Sequence, residues 1–543
     1  FFIFLCSNSN VSSKYEDIIS KSVLLHKGPP AVYQLRTKKE NIGTLTKLTV
    51  GERNVNKMNK TILFVGETGT GKSALINALV NYAMGVKWED EVWFQIVEVQ
   101  SSQTESQTKD VIVYEVFGFE DKTKNYSLTI IDTPGFGDTR GIEHDELVGQ
   151  KLLDLFRLED GVHEVNAVGA VLKASDNRLS DRLMYILDSV MSLFGKNLEK
   201  NIVALITYSD GRNPKNALQA LEAAKIKCAR NEENQPVHFL FHNSQHEDRT
   251  EEAEFLKGPF KLSETGMSEF TAFLEKTAPQ KLMTTADVLN ERTGRNGLKN
   301  CIQNLQERIR FIEAKQTEIS QTEEALKEHE EEMKNNQKFI VEVDEPYKEK
   351  EPIDGGMWGL LFYEAAVCCE VCEETCHYPG CTVAWYPAHC EVMKKGCCTV
   401  CTNKCPASDH VKEKWRYVTR TRKVKKTLED MKLKYEENQT ETQNKQSLLE
   451  KLNEEMNQLT ADKTRWLEEA YQCVVRLKEI ALKANSVSTY VHLDFLIEKM
   501  KENGDTEKVQ DLEKMKNTVD EGTRAAVRYI VVSQQLVKKL GNR

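Results

Sequence analysis

No apolar stretch in the sequence comes near the ~20 residues a bilayer-spanning helix needs, so a transmembrane anchor is not expected. Excess positive charge is also missing. The formal net charge of -10 argues against a general nucleic-acid binder. Phe1-Phe2-Ile3-Phe4-Leu5-Cys6 is apolar but short, and no basic segment precedes it, so it does not read as a signal peptide. A start at Phe rather than Met is what a truncated N-terminus would give. Cysteine is scarce outside one segment, because ten of the 14 lie between Cys368 and Cys405. What is present is length and charge. A chain of 543 residues is too long for one core and predicts two or more domains. Its 40% hydrophobic and 29% charged residues mix globular with coiled-coil character.

The most specific motif is Gly66-Glu67-Thr68-Gly69-Thr70-Gly71-Lys72-Ser73, a GxxxxGKS phosphate-binding loop. It follows an apolar strand, Thr61–Val65, and opens a helix that begins at Ala74. The glycines let the backbone turn its N–H groups inward around phosphate oxygens, and the helix N-terminus adds positive potential. Lys72 is expected on the β- and γ-phosphates and Ser73 on Mg²⁺. About sixty residues on, the strand Leu128–Ile131 ends in Asp132-Thr133-Pro134-Gly135, a DxxG motif. Asp132 is expected to hold Mg²⁺ through water, and the Gly135 N–H to sense the γ-phosphate.

A later strand, Asn201–Ile206, leads into Thr207-Tyr208-Ser209-Asp210. The Asp210 carboxylate can accept both guanine N1–H and the 2-amino group, and adenine offers neither donor. Tyr208 stands where guanine readers usually carry lysine. After the next strand, Asn243 in His242-Asn243-Ser244 is placed to meet the base from its other side.

Residues 58–285 resemble the immunity-associated (GIMAP-type) GTPases, relatives of septins and of plastid import-receptor GTPases. GETGTGKSALINAL, IIDTPGFGDTRG, the TxSD box and the Phe-x-Asn turn carry the resemblance. It implies a Ras-like fold, guanine-nucleotide-dependent dimerisation and a cytoplasmic setting. It also implies a first-switch threonine over Mg²⁺, for which Thr108 fits and Thr104 is the rival, and an arginine able to act across a dimer, matched by Arg178. Phe136 occupies the position after DxxG, where small GTPases keep a water-orienting Gln. Slow intrinsic hydrolysis of GTP to GDP is therefore expected, with Arg178 in trans as the candidate accelerator.

The cysteine segment is duplicated. Cys369, Cys372, Cys376 and Cys381 recur as Cys398, Cys401, Cys405 and His410, each displaced by 29 positions (369 to 398, 381 to 410). In a reducing compartment such a set reads as metal ligands rather than disulfides. Four soft or borderline donors per copy suit tetrahedral Zn²⁺, so two structural zinc ions are expected. His377, His389 and Cys390 are alternative ligands, and interleaving of the two sets stays open.

Apolar heptads flank this segment. One runs through Leu305, Ile312, Ile319 and Leu326, and the other through Leu428, Met431, Leu452, Met456, Leu459, Trp466 and Leu477. The expected layout is a lead-in without regular structure (1–57), an α/β P-loop G domain (58–285), a coiled-coil helix (286–345), a zinc knob (346–411), a returning coiled-coil helix (412–485) and a C-terminal helical segment (486–543) that packs on the stalk or on a partner. The basic run from Lys412 to Lys426 is expected as a solvated helix face beside an acidic partner helix, with an anionic membrane surface or RNA as the alternative.

These features point to a guanine-nucleotide switch that self-associates through its G domains or helices and engages an unidentified protein partner. Two alternatives remain. One is a scaffold with a GTP-bound, non-hydrolysing domain. The other is a coiled-coil ATPase with a zinc hook, for which no second ATPase half follows the returning helix.

Overall fold

The computed structural model describes residues 13–42, 45–97, 110–119, 122, 125–136, 142–175, 181–293, 298–328, 340–353, 357–358, 362–363, 365–378, 386–390, 392–427 and 448–541. The chain divides into two compact units. One comprises Phe1–Asn290 with Leu477–Val491 and Met515–Arg543, the other Glu291–Arg476 with His492–Lys514.

The first unit is built on an eight-stranded mixed sheet in the order His238–Leu240, Ile202–Thr207, Ala167–Lys173, Met58–Gly66, Tyr126–Asp132, Ile112–Val116, Leu45–Val50, Lys38–Ile42. The first five are mutually parallel; Ile112–Val116 runs antiparallel to Tyr126–Asp132. Apolar runs near 60–65, 111–117, 126–131, 166–172, 201–206 and 237–241 predict six of these strands. The four central ones, Ile202–Thr207, Ala167–Lys173, Met58–Gly66 and Tyr126–Asp132, are largely buried on both faces, as parallel strands under helices must be. Leu152, Phe156, Ile186 and Val190 pack on one face. Leu75, Ile76, Phe270 and Leu274 pack on the other.

The expected irregular lead-in is corrected. Leu45–Val50 and Lys38–Ile42 lengthen the sheet, and Val23–His26 with Ala31–Gln34 joins Val92–Gln95 in a second sheet. The alternation Leu45-Thr46-Lys47-Leu48-Thr49-Val50 is a strand pattern, and the parallel edge of Ile112–Val116 supplies its partner.

The C-terminal segment divides: residues 492–514 lie on the stalk helices, Lys499 pairing with Glu313 at 2.9 Å and Lys508 with Glu468 at 2.6 Å, and only its end departs from that expectation. Its last helix, Glu521–Gly541, packs on helix Asp181–Ser192 of the α/β domain, with the Tyr185 and Tyr529 rings 5.2 Å apart. Asp188 ties down the start of that helix and the segment before it. Fully buried, it accepts hydrogen bonds from Val487 N–H at 2.8 Å and the Thr523 hydroxyl at 2.7 Å, and pairs with Lys483 at 2.8 Å.

The second unit departs furthest from expectation. Helices Leu298–Glu328 and Leu448–Ile480 are present, but between them lies a long antiparallel ribbon, Ile340–Pro352 with Trp415–Thr427, where helix was predicted. Both segments alternate along their length, and the charges match across the strands. Arg422 pairs with Glu345 at 2.9 Å, Arg416 with Glu351 at 2.9 Å and Arg420 with Glu349 at 3.1 Å. The basic run therefore meets an acidic strand. Heptad residues Leu305, Ile309, Ile312 and Ile319 are buried, as are Val341 and Val343 of the ribbon, which lies against that helix. Leu428, Met431 and Leu326 lie outside what is described at side-chain level. Among the described residues no helix is long and apolar enough to cross a membrane.

Candidate nucleotide site and cysteine centre

Strand Met58–Gly66 delivers the phosphate loop and helix Lys72–Met84 leaves it. Gly66, Gly69 and Gly71 have φ of 152°, 80° and 83°, values that exclude ordinary side chains. Lys72 folds back over the loop, its ammonium donating to the carbonyls of Gly66 at 3.1 Å and Glu67 at 2.9 Å. Burial pushes Lys72 down to about 8, against the opposing pull of Asp132 and Glu67. A phosphate group placed there would favour the charged form and push Lys72 back up.

The DxxG turn lies directly on the loop. Phe136 N–H donates to Gly66 O at 3.1 Å, and Thr68 N–H donates to Phe136 O at 3.3 Å. A Cβ on Gly135 would fall 2.3 Å from Thr68 Oγ1 and 2.6 Å from Thr68 N, so only glycine permits the approach. Asp132 ends its strand fully buried. Phe136 is buried too, a packing group rather than a water-orienting one.

The base-side residues divide. Thr207 is buried, and its hydroxyl donates to Thr70 O at 2.6 Å, tying its strand to the loop. Asn243, at φ 71°, donates from Nδ2 to Gly71 O at 3.1 Å, and its buried Oδ1 has no partner. Tyr208 is half exposed and also reaches the loop, its hydroxyl 3.4 Å from where a Gly71 Cβ would stand. Asp210 is exposed, accepts from Arg212 N–H at 3.0 Å and pairs loosely with Arg212 Nε at 3.6 Å. Ser73 and Ala74 occupy the first helical turn, half-buried. Thr104, Thr108 and Arg178 lie outside the described residues.

Sequence reading missed Arg182. It opens helix Asp181–Ser192 and pairs with loop residue Glu67 at 3.0 Å. No spacing rule announces that contact; the matching charge of Glu67 in the loop was the available signal.

In the second unit, strand Ala366–Cys369 pairs with Glu374–His377 on one side and His410–Glu413 on the other. The pairing sets Cys369 opposite His410. The two copies of the repeat thus cross, and the consecutive ligand sets are corrected. Cys369, Cys372, Cys401 and Cys405 form one group; Cys376, Cys398, Cys401 and His410 form the other, with ligand atoms in each within 4.8 Å of one another. Cys381 lies outside the described residues. His377 and Cys390 contact each other at 3.1 Å, and His389 is not in either group. The donor chemistry suits zinc. His410 Nδ1–H donates to Pro406 O at 2.9 Å, which leaves Nε2 unprotonated, buried and without a hydrogen-bond partner.

Fold and site together define a GTPase-like P-loop α/β domain with a mixed sheet, joined to a cysteine-rich unit. Residues 56–145 match the Septin family model. The chain is 30% identical to Septin-5 of Macaca fascicularis over 165 residues, which cover 28% of this chain and 39% of that relative. Solved structures that match part of the chain include Toc33 from Arabidopsis thaliana in complex with Mg²⁺ and GMPPNP (TM-score 0.27, 15% identity, 41% of this chain and 88% of that one). Another is elongation factor SelB from Methanococcus maripaludis with a GTP analogue (TM-score 0.24, 11% identity, 41% and 35%).

Proposed function

We propose that the chain is a guanine-nucleotide-binding switch that hydrolyses GTP slowly and couples its nucleotide state to self-association. The supporting observation is the convergence on one loop. The DxxG turn, Thr207 and Asn243 all bond to the backbone of Gly66–Gly71, so a γ-phosphate held there acts on each of them. Lys72, Ser73 and Asp132 would hold the phosphates and Mg²⁺, and Asp210 at the rim would select guanine. Mg²⁺ when bound supplies charge neutralisation at the phosphates. The cysteine centre would hold two zinc ions in a structural role, with no open catalytic position. Association through G domains follows from the resemblance, with Arg178 as the residue acting across the dimer.

Equilibrium binding of fluorescent GTP and ATP with Mg²⁺, with Lys72→Ala as control, tests the reading. Preference for GTP that the control abolishes supports it. Equal binding of ATP, or no binding of either, removes it. Turnover measured at rising protein concentration tests the dimer. A rate per chain that does not rise removes dimer-dependent hydrolysis and favours a second reading, a GTP-bound scaffold, to which the buried Phe136 already lends weight.

A further inference from the structure

We infer that the cysteine centre is a dinuclear zinc cluster in which Cys401 Sγ bridges the two ions. The inference rests on the reading that this centre holds zinc and adds how it does so.

Two tetrahedral ions need eight donor positions. The two groups contain seven residues, and Cys401 belongs to both. Sharing one donor fills all eight positions with no ligand from elsewhere. The shared donor must be a thiolate, because sulfur keeps further lone pairs after binding one metal and an imidazole nitrogen has only one. Cys401 meets that condition, and the lone imidazole, His410, sits in a single group.

The sulfur spacing agrees. Cys372 Sγ and Cys405 Sγ are 3.6 Å apart. A disulfide would need about 2.05 Å. A tetrahedron with Zn–S near 2.3 Å has edges of about 3.8 Å. Cys369, Cys372, Cys376, Cys398, Cys401 and Cys405 are not in disulfides. Backbone N–H groups point at the sulfurs as they do at thiolates. Cys372 N–H donates to Cys369 Sγ at 3.3 Å, Val400 N–H to Cys398 Sγ at 3.3 Å, and Cys405 N–H to Cys401 Sγ at 3.2 Å. These are the turns that a C-x2-C spacing and the x3 step to Cys405 produce, with Glu373 and Lys404 at φ 51° to close them.

The packing explains why sulfur must do this. Among the described residues, the buried cluster around these sulfurs holds Val367, Val392 and Val400 besides the cysteines. Six thiolates against two divalent ions leave a charge of about −2. Arg308 Nη2 and Lys404 Nζ both donate to the carbonyl of Val400, at 2.6 and 3.4 Å, beside the bridging residue. They place positive charge where the bridge concentrates negative charge.

The test uses the full-length chain, reduced, freed of metal and titrated with Co²⁺ in excess Mg²⁺. Sulfur-to-cobalt charge transfer counts thiolate-bound ions, and EPR reads their spins. Expected is a charge-transfer band that rises to two equivalents, while the EPR signal per thiolate-bound ion falls at least about twofold between one and two equivalents as the spins couple through the shared sulfur. Cys381→Ser should leave both readings unchanged. EPR that grows in proportion to two equivalents means isolated ions and overturns the bridge, leaving the zinc reading intact. Saturation at one equivalent, or loss of an ion in Cys381→Ser, also overturns it. Absence of any thiolate-bound cobalt removes the zinc reading itself.

Discussion

The nucleotide cradle and the cysteine centre are both gathered from distant parts of the chain, but different atoms hold them. In the cradle the contacts are largely backbone: Gly66 to Phe136, Thr68 to Phe136, and Gly71 and Thr70 carbonyls taken by Asn243 and Thr207. Beneath it lies an apolar core on both sides of a sheet. The cysteine centre has no such foundation. Its buried core is mostly the sulfurs themselves. A cradle of backbone on a packed sheet should survive the loss of its ligand, whereas a centre built of ligand atoms should not.

Removing metal is the strongest way to break that comparison. Chelation of the full chain should abolish hydrogen-exchange protection over strands Ala366–Cys369 and His410–Glu413, while Tyr126–Asp132 keeps its protection. Structural zinc in small domains contributes about 10–16 kcal/mol. Protection retained in both regions would mean that the centre folds on its valines alone.

The nearest equivalent within the α/β unit is Asp188, a buried side chain on which three groups converge. Asp188→Ala takes the acceptor from Val487 N–H and the Thr523 hydroxyl, leaves Lys483 paired with Asp520 at 3.3 Å, and should destabilise the unit by about 2 kcal/mol. Thermal unfolding followed through the α/β core measures it. A change under about 0.5 kcal/mol would show that helix Glu521–Gly541 is held by its apolar face instead.

Gly135→Ala sharpens the backbone side of the comparison. The added Cβ meets Thr68 at 2.3–2.6 Å, so the DxxG turn must withdraw from the loop. Nucleotide affinity should fall about tenfold or more, about 1.4 kcal/mol. Circular dichroism should stay unchanged, because the sheet beneath does not depend on that contact.

The smallest effect is expected in the ribbon. The hydrogen bond from Lys426 and the pairing with Arg422 hold Glu345 down at about 2, against burial, which works upward. A carboxyl depressed in the fold stabilises it above the ordinary value of 4.5, and that stabilisation disappears as pH falls through about 2. Solvent screening limits it to about 1 kcal/mol or less. Acid titration of Glu345→Gln against the parent chain should show the difference in stability closing over that window.

How legible each region was follows from the same contrast. The phosphate loop is contiguous, each glycine answers a local φ demand, and the six central strands announce themselves as apolar runs. Residues 412–427 misled because a dense Lys and Arg run suits a solvated helix face and an edge strand equally. Only the acidic alternation of 342–351, lying across the cysteine segment in sequence, decides for the ribbon. Leu45–Val50 was short and flanked by polar residues, and it becomes a strand because an edge waits for it. Arg182 acquires its place from Glu67, more than a hundred positions earlier.

The sequence alone determined where the phosphate-loop motif lies, that the domain around it is α/β, and which residue types make up the cysteine centre. Those are short-range properties, set by φ, by apolar runs and by donor chemistry. Tertiary structure alone decided which cysteines come together, that the charged arms are strands, and that the last helix returns to Asp188. Each depends on what lies opposite in space, and a repeat of 29 positions is blind to the strand pairing that set Cys369 beside His410.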